Sequence, residues 1–225
     1  MSIPYANIPK YYTRVQDRLI ALVTDGGTDL ATTIPATPDW TIRDLLAHLA
    51  GVPADVIAGN MADAPSEAWT HAHVSSRVEA TPEEIIAEWR EQIALLQDAL
   101  ATPNATGLFS DVVVHEQDVR GALGQPGARD TDEIRAVAEV FIASLGRRFA
   151  EKGLPALKVV VDGEAHVIGE GEPAGELTLS AFEATRVFTG RRSPDQVKAR
   201  FTSGNPQVWI DSLFLFGPRK TPLSE

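Results

Sequence analysis

The sequence predicts an α+β protein in two parts, a helical bundle over residues 1–153 followed by a small α+β domain over residues 154–225. Apolar residues recur at helical spacing through the first two-thirds of the chain, the primary signature of amphipathic helix. That spacing ends at Gly153-Leu154-Pro155, after which short β-branched runs are bounded by Gly and Pro. With 225 residues, 44% of them hydrophobic, the chain can bury a core of useful size without disulfide support.

The first helix covers residues 11–23, with Val15, Leu19, Leu22 and Val23 on one side, and Gly26-Gly27 stops it. A turn-rich connection containing Pro35 and Pro38 follows. The second helix has a full start signal. Thr41 is its N-cap, Asp44 completes a capping box three residues on, and Trp40 and Leu45 occupy the hydrophobic-staple positions. It carries Leu45, Leu46, Leu49, Val52 and Val56 to about Gly59-Asn60, and Pro53 predicts a kink or break near Ala50-Gly51. The third opens at Thr81-Pro82-Glu83-Glu84 and buries Ile85, Ile86, Trp89, Ile93, Leu96 and Leu100. The fourth spans residues 108–123 and ends at Gly124. The fifth runs over residues 132–152, with Ile134, Val137, Val140, Phe141 and Leu145 inward. Beyond it, strands are expected at 157–161, 166–168 and 176–179, then helices opening at Ser180 and Ser193.

Composition removes several kinds of chemistry. There are no cysteines, so disulfides, thiolate metal sites, iron–sulfur clusters and a cysteine nucleophile are all excluded. A metal must be held by imidazole and carboxylate, and any reacting thiol must come from outside. A net charge of −11 disfavours nucleic acid and anionic membrane surfaces as partners. Met1 to Tyr5 lack a basic region followed by an apolar run, and no stretch approaches the ~20 apolar residues of a membrane span. A cytoplasmic location is expected.

Two of the five histidines sit on the predicted helices. His48 lies at the edge of the Leu45, Leu49, Val52 and Val56 face. His115 occupies the stripe of Leu108, Val112, Val119 and Leu123, with Asp111 one turn before it. Residues four apart on a helix point the same way, so Asp111 and His115 can converge on one ion, and a histidine from a neighbouring helix can complete a three-ligand site. The same spacing also fits a core-edge histidine hydrogen-bonded to Asp111. His71 and His73 follow Trp69 in a polar stretch and read as surface loop, from which a histidine can approach the site. His166 reads as structural. Arg120 is a candidate for holding a substrate carboxylate, against the alternative of a salt bridge. Arg191 and Arg192 follow Gly190 and read as complements to a helix end.

The run from Pro38 to Gly51, with Trp40, Asp44-Leu45 and His48-Leu49-Ala50-Gly51, resembles a family signature. Val114-His115-Glu116-Gln117-Asp118-Val119-Arg120-Gly121-Ala122-Leu123-Gly124 is similar to its second signature. Together they resemble the mycothiol-dependent maleylpyruvate isomerase family, among the DinB-like helical bundles. Leu177 to Ala181 and Phe188 to Ser193 are similar to the small sterol-carrier-like α+β domain that follows this bundle. The resemblance implies a four-helix bundle with zinc held by His, Glu and His, falling on His48, Asp111 and His115. This chain departs at Asp111, whose side chain is one methylene, about 1.5 Å, shorter than the family's Glu. Asp118, three residues after His115, is better placed than Glu116 to support its imidazole.

The implied activity is a metal-dependent isomerase or S-transferase with mycothiol as co-substrate, in which His48 and His115 act through the metal. The implied partners are a low-molecular-weight thiol and a small electrophile, met by a monomer or homodimer. In isomerisation the thiolate adds to a cis double bond, the bond rotates, and the thiolate leaves. Two other classes fit the same residues: a metal-dependent hydrolase, and a metal-free member that binds a ligand or partner without catalysis.

Overall fold

The computed structural model describes residue 3 and residues 5–225. The N-terminal unit runs to Gly127 and is built on helices whose apolar faces meet one another. These are α1 (Ile8–Thr24), α2 (Ile42–Ala58), α3 (Glu67–Ser75), α4 (Pro82–Leu95), the single turn α5 (Gln97–Leu100) and α6 (Thr106–Leu123). α2 packs on α4 and α6, and α1 packs on α6, so α1, α2, α4 and α6 form a four-helix bundle. The expected capping boxes are present at Thr41–Asp44 and Thr81–Glu84. α2 continues through Pro53 to a left-handed Gly59 with φ 71°, so the break expected near Ala50-Gly51 does not occur. The third predicted helix is divided at Leu96 into α4 and α5.

Two elements here were not expected. The turn-rich connection folds into an antiparallel hairpin of β1 (Thr33–Ile34) and β2 (Thr37–Thr41). The stretch read as a surface loop is α3, capped by Ser66 and buried through Trp69 and His73. Its polar composition hid a helix held by only two side chains, four residues apart.

Ala128–Glu225 form the second unit. Its long helix α7 (Asp132–Lys152) packs on α8 (Ala181–Phe188), on a strand and on α10 (Ile210–Leu213). The change of unit therefore falls after Gly127, not at residue 153 as the sequence reading had it. Helical periodicity continues through α7, but its Ile134, Val137, Phe141 and Leu145 face is buried within the second unit.

The sheet has order β4-β3-β5-β6, from β3 (Leu157–Val161), β4 (Glu164–Ile168), β5 (Glu176–Leu179) and β6 (Phe201–Ser203). β3 pairs antiparallel with β4 and parallel with β5. The β3–β4 turn is Asp162-Gly163, with φ 49° and 88°, the positive pair that a two-residue primed hairpin turn requires. α9 (Pro194–Lys198) opens at Ser193 with another capping box. Among the described residues, no helix is long and apolar enough to cross a membrane.

Candidate metal centre

The bundle brings His48, Asp111 and His115 together. α2 buries every residue from Leu45 to Pro53, so His48 is only 3% exposed. α6 buries Val112 to Val119, including His115, which is 6% exposed. Asp111, one turn earlier on α6, keeps 27% of its side-chain surface accessible. His48 Nε2 lies 3.4 Å from Asp111 Oδ2, and His115 Nε2 lies 3.3 Å from Asp111 Oδ1. One ligand atom from each of the three falls within 4.8 Å of the others.

The opposite ring nitrogens are also engaged. His115 Nδ1 donates to Asp118 Oδ2 at 2.9 Å, and Asp118 is fully buried. His48 Nδ1 meets His73 Nδ1 at 3.2 Å, and His73 Nε2 meets Asp55 Oδ2 at 3.0 Å. An ionised carboxylate can only accept, so with an ion in the site the proton of neutral His115 would stay on Nδ1, toward Asp118, and leave the Nε2 lone pair to the ion. Asp111 Oδ2 is a buried acceptor with no hydrogen-bond partner, and its nearby nitrogen is His48 Nε2. Two ring nitrogens and a carboxylate around one point can share a cation.

The spacing suits a metal. Ligand atoms about 2.0–2.1 Å from a tetrahedral zinc stand about 3.3–3.4 Å apart, and each Asp111 oxygen stands at about that distance from one imidazole nitrogen, Oδ2 from His48 and Oδ1 from His115. The shorter Asp side chain therefore reaches both imidazoles. Without a metal, a proton serves the cluster. Burial pulls His115 downward, but the charges and hydrogen bonds of Asp111 and Asp118 outweigh it and raise its pKa to about 9. Burial would raise Asp111, but His115 and His48 hold it well below the usual carboxylate range. Burial, with a smaller push from the Asp111 charge, raises the Tyr12 phenol, whose oxygen accepts from Trp89 Nε1 at 3.0 Å. Burial also lowers His73 below the ordinary imidazole value, against the opposing pull of Asp55.

Two indoles wall the cluster. The β1–β2 hairpin carries half-buried Trp40, whose ring centroid lies 4.9 Å from that of His48 and 6.1 Å from that of His115. On α3, Trp69 stands edge-on to His48 at 6.1 Å and to His73 at 4.3 Å.

Other sequence-predicted residues lie outside the cluster. Arg120 is committed elsewhere: Nε and Nη2 donate to Glu116 at 3.1 and 3.0 Å, and Nη1 to the Gln125 carbonyl. The salt-bridge reading of Arg120 therefore describes its position. Glu116 is buried and also takes a bidentate pair of bonds from Arg18. His71 is exposed, and His166 on β4 lies 3.6 Å from Glu139 on α7. Arg192 pairs with Glu183 and Glu225, so it does more than complement a helix end. Sequence reading missed His73 as a buried partner of His48. The signal was the four-residue spacing of Trp69 and His73, the two buried side chains of α3.

Among solved structures, the crystal structure of the mycothiol-dependent maleylpyruvate isomerase is similar over 83% of this chain and 88% of that one, with a TM-score of 0.56 at 15% identity. The crystal structure of a histidine-to-alanine mutant of it is similar over the same shares, with a TM-score of 0.55 at 14% identity. At such identities the likeness is one of fold. No curated protein matches the chain. The family profile described as the DinB superfamily matches residues 11–124. That match takes in half of the chain, including the Trp40-to-Gly51 and His115-to-Gly124 segments, and the chain belongs to the DinB superfamily.

Proposed function

We propose that this protein is a zinc-dependent enzyme that uses a low-molecular-weight thiol, mycothiol or a close analogue, as an isomerase or S-transferase on a small electrophile. One observation carries the metal half of the reading. Two imidazole nitrogens and a carboxylate converge, and a carboxylate supports each imidazole from behind, directly or through a second ring. That arrangement fixes ring orientation and raises ligand basicity. The thiol half is supported by the fold shared with a mycothiol-dependent isomerase, and by a chain without a thiol of its own.

His48, Asp111 and His115 would hold the ion. Bound there, zinc supplies a Lewis acid that lowers the pKa of a coordinated thiol, so that thiolate is available at neutral pH. Asp118 accepts the His115 Nδ1 proton and keeps Nε2 turned to the site. Trp40 and Trp69 flank the imidazoles and limit water around them.

Elemental analysis of untagged protein tests the metal, with one zinc per chain expected. His48→Ala and His115→Ala are each expected to lose it while keeping the helical circular-dichroism spectrum. A conjugation screen with and without mycothiol tests the thiol. Turnover without any thiol would favour a hydrolase, and wild-type protein free of stoichiometric metal would favour a non-catalytic role.

A further inference from the structure

His73 occupies a place made for it. Residue 51 of α2 is glycine, and a Cβ there would stand 2.3 Å from His73 Cγ and 2.6 Å from His73 Cβ. The missing side chain is the slot that lets α3 lay the His73 ring along α2. One turn before the slot is His48 and one turn after it is Asp55, and both hydrogen-bond that ring. Trp69 closes over the ring from its own helix.

The proton positions follow from which groups can donate. Asp55 only accepts, so His73 Nε2 carries hydrogen and donates to it. A neutral ring protonated at Nε2 has its lone pair on Nδ1, which accepts from His48 Nδ1–H. With an ion beside Asp111, His48 then keeps its lone pair on Nε2, the atom on the Asp111 side, free to face that ion. We infer that His73, seated over Gly51 and anchored by Asp55, is a positioning residue that locks His48 in the Nδ1–H tautomer and aims its Nε2 at a divalent cation. The inference rests on the metal-centre reading above. His115 receives its carboxylate support directly, whereas His48 receives it through a second imidazole.

Zinc affinity of the metal-free, full-length protein, measured by competition with a chromophoric chelator, tests this. His73→Phe keeps a ring but offers no acceptor, and affinity should fall about 10–100-fold, the usual cost of losing a ligand's supporting partner. His73→Asn returns a carbonyl oxygen close to the place of Nδ1 and should recover most of the loss. Gly51→Ala should behave as His73→Phe, because its Cβ displaces the ring. Asp55→Ala removes the anchor from a partly exposed position and should lower affinity in the same direction. Wild-type affinity in His73→Phe or Asp55→Ala overturns the proposal. So does complete loss of zinc in both His73→Phe and His73→Asn, which would make His73 a ligand itself. Failure of the wild-type protein to bind zinc sinks the metal-centre reading and this inference with it.

Discussion

Asp111 is the residue on which the candidate site turns. The sequence alone left it open whether one methylene less would loosen the cluster. In the structure both carboxylate oxygens lie within 3.4 Å of an imidazole Nε2, so the shorter side chain reaches both rings. Asp111→Glu pushes the carboxylate about 1.5 Å further and is expected to weaken zinc binding about tenfold, read by the same chelator competition. Spacing made Asp111 and His115 legible because four residues on a helix fix direction. His73 was not legible as a site residue, because its role depends on a glycine 22 positions earlier in the chain and on a hydrogen bond between helices.

Among elements, α1 and α6 are joined by one buried charge. Glu116 on α6 takes Arg18 from α1 and Arg120 from its own helix. Breaking a buried pair costs about 3–5 kcal/mol when both charges are sealed from water. Here the guanidiniums keep 29% and 14% of their surface, so Glu116→Gln should fall at the lower end of that range. Urea unfolding would measure it. Metal stoichiometry should be unchanged, because Glu116 supports the packing of α6 rather than the ligand atoms. Capping residues made the starts of α2 and α4 readable from sequence, since each cap is a local hydrogen bond. α3 has a cap of its own at Ser66, but it and the hairpin are held to the fold by Trp40, Trp69 and His73 meeting groups on other elements, which local sequence does not display.

For the whole molecule, the division after Gly127 assigns the candidate metal ligands to one unit and a separate charge network to the other. In the second unit, Glu183 pairs with Arg192, and buried Glu225 with Arg186 and Arg192. Burial would raise Glu183, but Arg192 holds it below the ordinary value of 4.5. A carboxylate depressed in the folded state binds fewer protons than in the unfolded chain. Its contribution is present above the unfolded pKa and is lost as pH falls through the folded one. Amide protection of β3 to β6 should therefore weaken on acidification from about pH 5 to pH 3, and Glu183→Gln should flatten that dependence. The fold class was legible because helical and strand patterns occupy separate stretches of the chain. The change of unit was not, since periodicity shows that α7 is helical and leaves open which apolar surface covers it.

The two indoles beside the cluster also give the protein an optical readout. Trp40 and Trp69 lie within about one ring's breadth of His48, so their excited states sit in near contact with whatever fills the site. Zinc has a filled d shell and no low-lying electronic state to accept that energy, whereas cobalt and copper ions do. Titration with cobalt should quench part of the emission, and added zinc should restore it by competition. Trp40→Phe should remove part of the quenchable fraction, and Trp69 should carry the rest. A thiol arriving at the ion would then register as a change in colour and brightness, without a label and before any product forms.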